Sequence, residues 1–232
     1  MTPLKRVAPR SSPKRVAPVG APSHGTLASA EAGGNVYDKY GTSNPVARRL
    51  VARFLSNLDE LVERSGANEA HEVGCGEGEL AIRLARNGLR VRGSDAFPAV
   101  LEEARQRARA AGVEIEFEAI RVEELDPGRH GAALVLCCEV LEHLEGPERA
   151  LEVLAGLARP WLIASVPHEP LWRGLNLARL TYVGALGNTP GHLNHWSKRG
   201  FLRFLESRFE VVEVRSPIPW TMALCRVQSP PS

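Results

Sequence analysis

The apolar positions change period several times along the chain, and each change marks an element. From Val46, the residues Leu50, Phe54, Leu58, Leu61 and Val62 recur at helical spacing and give one buried face. Asn44 suits the cap of that helix, Pro45 its first turn and Gly66 its end. The apolar-flanked stretch before Gly74 reads as a strand, and Glu77 to Asn87 as a helix. Leu89 to Ser94 alternates as a second strand. Pro98 opens a helix with Val100, Leu101, Ala104, Ala108 and Ala111 inward and Gly112 as the stop. Val113 to Phe117 alternates as a third strand.

The second half continues the same rhythm. Ala132 to Cys138 is an unbroken apolar run, as expected of a strand covered on both faces. Pro147 begins a helix with Ala150, Leu151, Leu154 and Leu157 on one face, and Trp161 to Val166 is a fifth strand. Ser197 caps a helix through Phe201, Leu202 and Phe204. Phe209 to Val214, the turn Pro217-Ile218-Pro219, and Thr221 to Val227 read as a terminal strand–turn–strand. Strands alternating with helices predict an α/β fold with a doubly wound sheet. The segment at about 167–196 is long for a connection in such a fold, and long loops often act as binding lids. Leu171, Trp172, Leu175 and Ala178 fall at helical spacing within it and predict a short helix with one apolar face.

Composition adds boundaries. The 232 residues suffice for one sizeable domain, and 44% hydrophobic content is ordinary for a globular chain. The net charge of +2 is unevenly spread. Residues 1–34 carry five basic residues against Glu31 and so hold +4, which leaves about −2 for residues 35–232. The domain therefore lacks the basic footprint of a nucleic-acid binder. The first 34 residues are rich in Pro, Ala, Ser and Gly and read as a disordered basic tail. Four cysteines without a C-x-x-C pair predict reduced thiols in a cytoplasmic protein. No apolar run approaches the length of a membrane span.

The chemistry concentrates at Glu72-Val73-Gly74-Cys75-Gly76-Glu77-Gly78 and at Asp95, seventeen residues past Gly78. Glycines at every second position would leave one face of a strand without side chains, but they suit a loop that a ligand must approach closely. The spacing is G-x-G-x-G, whereas the dinucleotide fingerprint is G-x-G-x-x-G. This disfavours a nicotinamide-linked oxidoreductase. The run and the following acid resemble those of class I S-adenosylmethionine-dependent methyltransferases over about residues 35–227. The resemblance implies a mostly parallel seven-stranded Rossmann-like sheet with helices on both faces and a C-terminal antiparallel hairpin. It also implies S-adenosylmethionine as cofactor and S-adenosylhomocysteine as product.

Carried over residue by residue, the resemblance assigns Gly74, Cys75 and Gly76 to the methionine moiety and Gly78 to close helix–strand packing. Glu72 is expected to receive the methionine ammonium, Asp95 to bind the ribose and Ala96 to line the adenine. Where the family often has an acid-small dipeptide, this chain has Arg121-Val122, so a backbone contact at Val122 is all that is expected there. Cys138 and Glu139 are expected to line the cofactor from the fourth strand. Glu139-Val140-Leu141-Glu142-His143-Leu144 resembles the motif of ubiquinone-biosynthesis O-methyltransferases. It implies a small-molecule acceptor, most simply a hydroxyl, with His143 as base and Glu142 beside it, since histidine titrates near neutral pH.

The acceptor site is expected in the lid, from Trp172, Tyr182, His192, His195 and Trp196. Glu139, Glu142 and His143 with His192 or His195 are also carboxylate and imidazole ligand types for a divalent metal. The same motif is common in relatives that bind none, so no metal is expected. Two other readings remain open: a metal-assisted RNA 2′-O-methyltransferase, and a cofactor-binding partner subunit without catalysis.

Overall fold

A computed structural model describes residues 44–178, 188–189 and 191–228. The basic tail and Tyr182 lie outside them. The first helix, α1 (Pro45–Ser65), begins where Asn44 Oδ1 accepts from the amides of Val46 and Ala47, and stops at Gly66 with φ 63°. Parallel strands follow as β1 (Glu69–Val73), β2 (Arg90–Asp95), β3 (Glu116–Ala119), β4 (Ala132–Cys138) and β5 (Ala158–Pro167). Between them run α2 (Glu79–Arg86), α3 (Pro98–Ala111), the short α4 (Pro127–His130) and α5 (Pro147–Leu157). The chain closes with α6 (Leu171–Ala178), α7 (Lys198–Glu206), β6 (Phe209–Arg215) and β7 (Trp220–Val227).

The seven strands lie in the order β3-β2-β1-β4-β5-β7-β6. The last hairpin inserts β7 antiparallel between β5 and β6, with Trp220 opposite Pro167. Helices cover both faces. Phe54, Leu58 and Leu61 of α1, Leu84 of α2 and Leu101 of α3 pack on Leu134, Leu136 and Leu224. Leu151 and Leu154 of α5 and Phe201 and Leu205 of α7 pack on Val135, Cys137 and Leu162 on the other side. This two-sided cover is why β4 reads as a solid apolar run.

Several boundaries differ from the sequence reading. The helix expected from Glu77 starts at Glu79, because Gly78 is left-handed at φ 79° and caps it. The third strand is Glu116–Ala119 rather than 113–117; it opens opposite Arg92, and Val113 and Ile115 pack against the core before it. Strand β5 starts at Ala158, three residues early, because α5 passes directly into extended backbone there. The 3-10 turns Val122–Glu124 and Leu141–His143 and the one-turn α4 have no apolar period to announce them. No helix among the described residues is long and apolar enough to cross a membrane.

Candidate active site

All the motif residues arrive at one edge of the sheet, outside the carboxyl ends of β1, β2, β4 and β5, where ligands of open α/β sheets bind. The glycine loop leaves β1 and is fastened to β2, with the amides of Gly74 and Cys75 donating to Ser94 O at 2.7 and 3.0 Å. The three glycines do different work. A Cβ on Gly74 would sit 2.3 Å from Val140 Cγ2, so the space belongs to the segment after β4 and not to a ligand. A Cβ on Gly78 would press on Phe117 and Ala104 at 3.1 and 3.2 Å, so its space is taken by β3 and α3. Gly76, at φ 50°, has nothing within 4 Å of that position and is the glycine that faces open space.

Asp95 ties the loop to the start of α3. Its Oδ2 accepts from Gly76 N at 2.9 Å and its Oδ1 from Phe97 N at 3.0 Å. Each carboxylate oxygen keeps a second lone pair, so hydroxyl groups could still donate to it. Glu72 is buried at the end of β1, and Ala96 is exposed beside Asp95. Burial, with Glu72 and Asp95 close by, holds the Cys75 thiol far above its ordinary range, so it is inert. The side chain of Val122 is buried in the core, which leaves its backbone alone for outside contact. Cys138 is buried at the end of β4.

Beyond β4 the backbone turns sharply. Glu139 has φ 62°, the one non-glycine residue with a positive φ among those described. The resemblance puts it at the cofactor, and its carboxylate accepts from Ser165 Oγ at 3.1 Å and Trp220 Nε1 at 2.7 Å. The Leu141–His143 turn follows and aims Glu142, buried, and His143, exposed, at the lid. His143 Nδ1 lies 2.9 Å from Gly191 O, which makes that nitrogen the donor, so that in the neutral ring the lone pair is on Nε2.

The lid docks on this turn through its backbone. Leu193 N and Asn194 N both donate to Glu142 O, at 2.8 and 3.0 Å, and Asn194 Nδ2 donates to Leu141 O and Leu144 O. His192, buried, meets His143 edge-on with ring centres 4.9 Å apart, and Trp172 stacks on His192 at 6.3 Å. Ligand atoms of Glu142, His143 and His192 all lie within 4.8 Å of one another. Two expected members stand apart. His195 is exposed and contacts Asn188 at 2.6 Å, and Trp196 packs on Phe201 and Phe204 of α7. Trp220 was missed from the sequence. Its signal was an aromatic directly after a Pro-x-Pro turn, at a strand start on the site's edge.

A doubly wound sheet with this strand order, a glycine loop after β1 and an acid at the end of β2 defines a class I methyltransferase fold. Residues 70–160 match the family model for a methyltransferase domain. A ubiquinone biosynthesis O-methyltransferase of Alkalilimnicola ehrlichii is 38% identical over 120 residues, covering 50% of this chain and 45% of that protein. One of Marinobacter nauticus is 34% identical over 150 residues, 62% of each. The chain thus spans about half the length of the curated relatives it matches. In structure it resembles a magnesium protoporphyrin IX methyltransferase of Synechocystis with bound S-adenosylhomocysteine, at TM-score 0.63 and 22% identity over 82% of this chain and 91% of that one. A Pyrococcus horikoshii protein, PH0226, gives TM-score 0.65 at 15% identity over 80% and 93%. Those likenesses establish the fold.

Proposed function

We propose that the chain is an enzyme that transfers a methyl group from S-adenosylmethionine to a hydroxyl oxygen of a small molecule. The observation that carries this reading is the shared edge of the sheet, where the glycine loop that Asp95 holds at Gly76 meets, through Gly74, Val140 at the start of the turn bearing Glu142 and His143. The residues fit the cofactor chemically. Gly76 leaves room for close backbone approach, the second lone pairs of Asp95 suit ribose hydroxyls, and Glu72 suits an ammonium. When bound, the cofactor would supply an electrophilic methyl on a sulfonium, with neutral S-adenosylhomocysteine as the leaving group. The protein's task is to orient the acceptor and exclude water. His143, its Nδ1 held by Gly191 O, offers Nε2 to take the hydroxyl proton, and His192 and Trp172 wall the approach. The names of the curated relatives support oxygen as the accepting atom.

Calorimetry with S-adenosylhomocysteine tests the first half. Binding by the wild type and a loss of about 10–100-fold in Asp95→Ala are expected, the worth of a hydrogen bond to a charged group. No heat with the wild type would sink the reading. Labelled methyl transfer to a panel of hydroxylated compounds tests the second half. His143→Ala should slow transfer about 100-fold or more while leaving S-adenosylhomocysteine affinity unchanged.

A second reading places a divalent cation among Glu142, His143 and His192, and the 4.8 Å clustering of their ligand atoms favours it. One carboxylate and two imidazoles suit a zinc- or manganese-like ion. The two readings compete at His143 Nε2, because a coordinated lone pair cannot accept a proton. Zinc or manganese titrated into the wild type and His192→Ala decides between them: heat lost in the variant supports the cation, and none in the wild type removes it.

A further inference from the structure

We infer that Trp220 and Glu139 form a brace that holds the lid against the turn carrying Glu142 and His143, which makes Trp220 a positioning residue. The inference rests on the proposed methyl transfer only for what the turn is for; the brace itself stands on contacts.

Glu139 is the starting point. A left-handed conformation in a residue with a Cβ costs roughly 1–2 kcal/mol, so its surroundings must over-determine it. Three bonds do so. Its amide donates to Ser165 O at 3.0 Å, Ser165 Oγ donates to Oε1, and Trp220 Nε1 donates to Oε2 at 2.7 Å. Two of the three anchors come from β5 and one from β7, so the bend after β4 is pinned by its neighbours in the sheet and not by local sequence. Two things follow directly from the bend. Val140 is pressed into the space left by Gly74, and the backbone enters the Leu141–His143 turn.

Trp220 faces the other way as well. It is buried, and its ring lies 5.1 Å from Phe54 of α1 and 6.0 Å from Trp172 of the lid helix. Trp172 in turn donates from Nε1 to Thr189 Oγ1 at 2.9 Å and stacks on His192, which touches His143. One side chain thus bonds the strained bend through its N–H and packs against the lid helix with its ring. Contacts run unbroken from α1 through Trp220 and Trp172 to His192 and His143, while the N–H of Trp220 fixes the turn on which His143 stands. Loosening Trp220 should therefore free both partners of the His143–Gly191 bond.

The test needs no acceptor. Trp220→Phe keeps a ring against Phe54 and Trp172 but deletes the donor. Amide exchange at Leu193 and Asn194, the lid's donors to Glu142 O, should lose about tenfold protection or more, with protection at Leu134 and Leu136 of β4 unchanged. Histidine ring NMR should show His143 passing from a single Nδ1–H tautomer to a mixture. Glu139→Gly separates the brace from its strain, since glycine accepts φ 62° without cost but lacks the carboxylate. The brace predicts that this variant loosens the lid like Trp220→Phe; a purely conformational role for Glu139 predicts a wild-type lid. Unchanged protection at Leu193 and Asn194 in both variants, or equal loss at every amide, overturns the inference. Absence of S-adenosylhomocysteine binding in the wild type would overturn the methyl-transfer reading and leave these outcomes as they are.

Discussion

Gly74 and Gly76 stand two residues apart, both left-handed, at φ 73° and 50°, and they fail differently when given a methyl group. At Gly74 the new carbon meets Val140 at 2.3 Å, with backbone strain added. Gly74→Ala should cost about 2–4 kcal/mol, read as a lower urea midpoint. At Gly76 there is no neighbour to displace, so Gly76→Ala should cost only the roughly 1–2 kcal/mol of the left-handed backbone. Its methyl would project into the space assigned to the cofactor, so its S-adenosylhomocysteine affinity should fall well below that of wild type by calorimetry. Equal stability losses in the two variants would contradict this division. The glycine pattern was legible in the sequence, but the division was not, because Val140 lies 66 residues away in the chain.

At the scale of elements, the lid's bonds among the described residues are open to test. Thr189 Oγ1 accepts from both Trp172 Nε1 and Asn176 Nδ2, at 2.9 and 3.2 Å, joining α6 to the segment that bears His192. Thr189→Val keeps the shape and removes the acceptor. Proteolysis between 167 and 196 should quicken about tenfold with little change in the global urea midpoint, the signature of local opening. The helix of residues 171–178 was readable from its apolar spacing. Its docking partners were not, since Asn194, Thr189 and Gly191 are polar or small and carry no period. Likewise His192 and His195 look equivalent in sequence, and only the path of the loop sends the first to His143 and the second to Asn188.

At the scale of the whole molecule, acid should destabilise the fold through a histidine away from the proposed chemistry. His71 is 2% exposed in β1, with Nε2 2.9 Å from Ser94 Oγ and Nδ1 2.8 Å from His130 O. Burial above all, with Arg92 and His130 adding to it, lowers its pKa from 6.5 to about 4. The unfolded chain therefore binds this proton more readily between those values. Stability is highest above the unfolded pKa and falls as pH drops toward the folded one. From about pH 7.5 to about pH 5 the loss should be on the order of 2 kcal/mol in urea unfolding. His71→Gln should flatten that slope; a slope unchanged in the variant would assign it elsewhere.

The sequence by itself determined the order and type of the long elements, the two-sided sheet and the chemical class of the glycine loop. The first two rest on apolar period, caps and short spacings, all local, and the third on the resemblance of the glycine run to a known family. It named Glu142, His143 and His192 as candidates too, the first two through the motif that follows β4 and the third through the long segment at 167–196. The tertiary structure alone decided which glycine faces open space, that Glu139 is committed to Ser165 and Trp220, that Trp196 belongs to α7, and that Trp220 belongs to the site. Each of those depends on strands far apart in the chain meeting at one edge, and neither period nor spacing records which side chains face each other there.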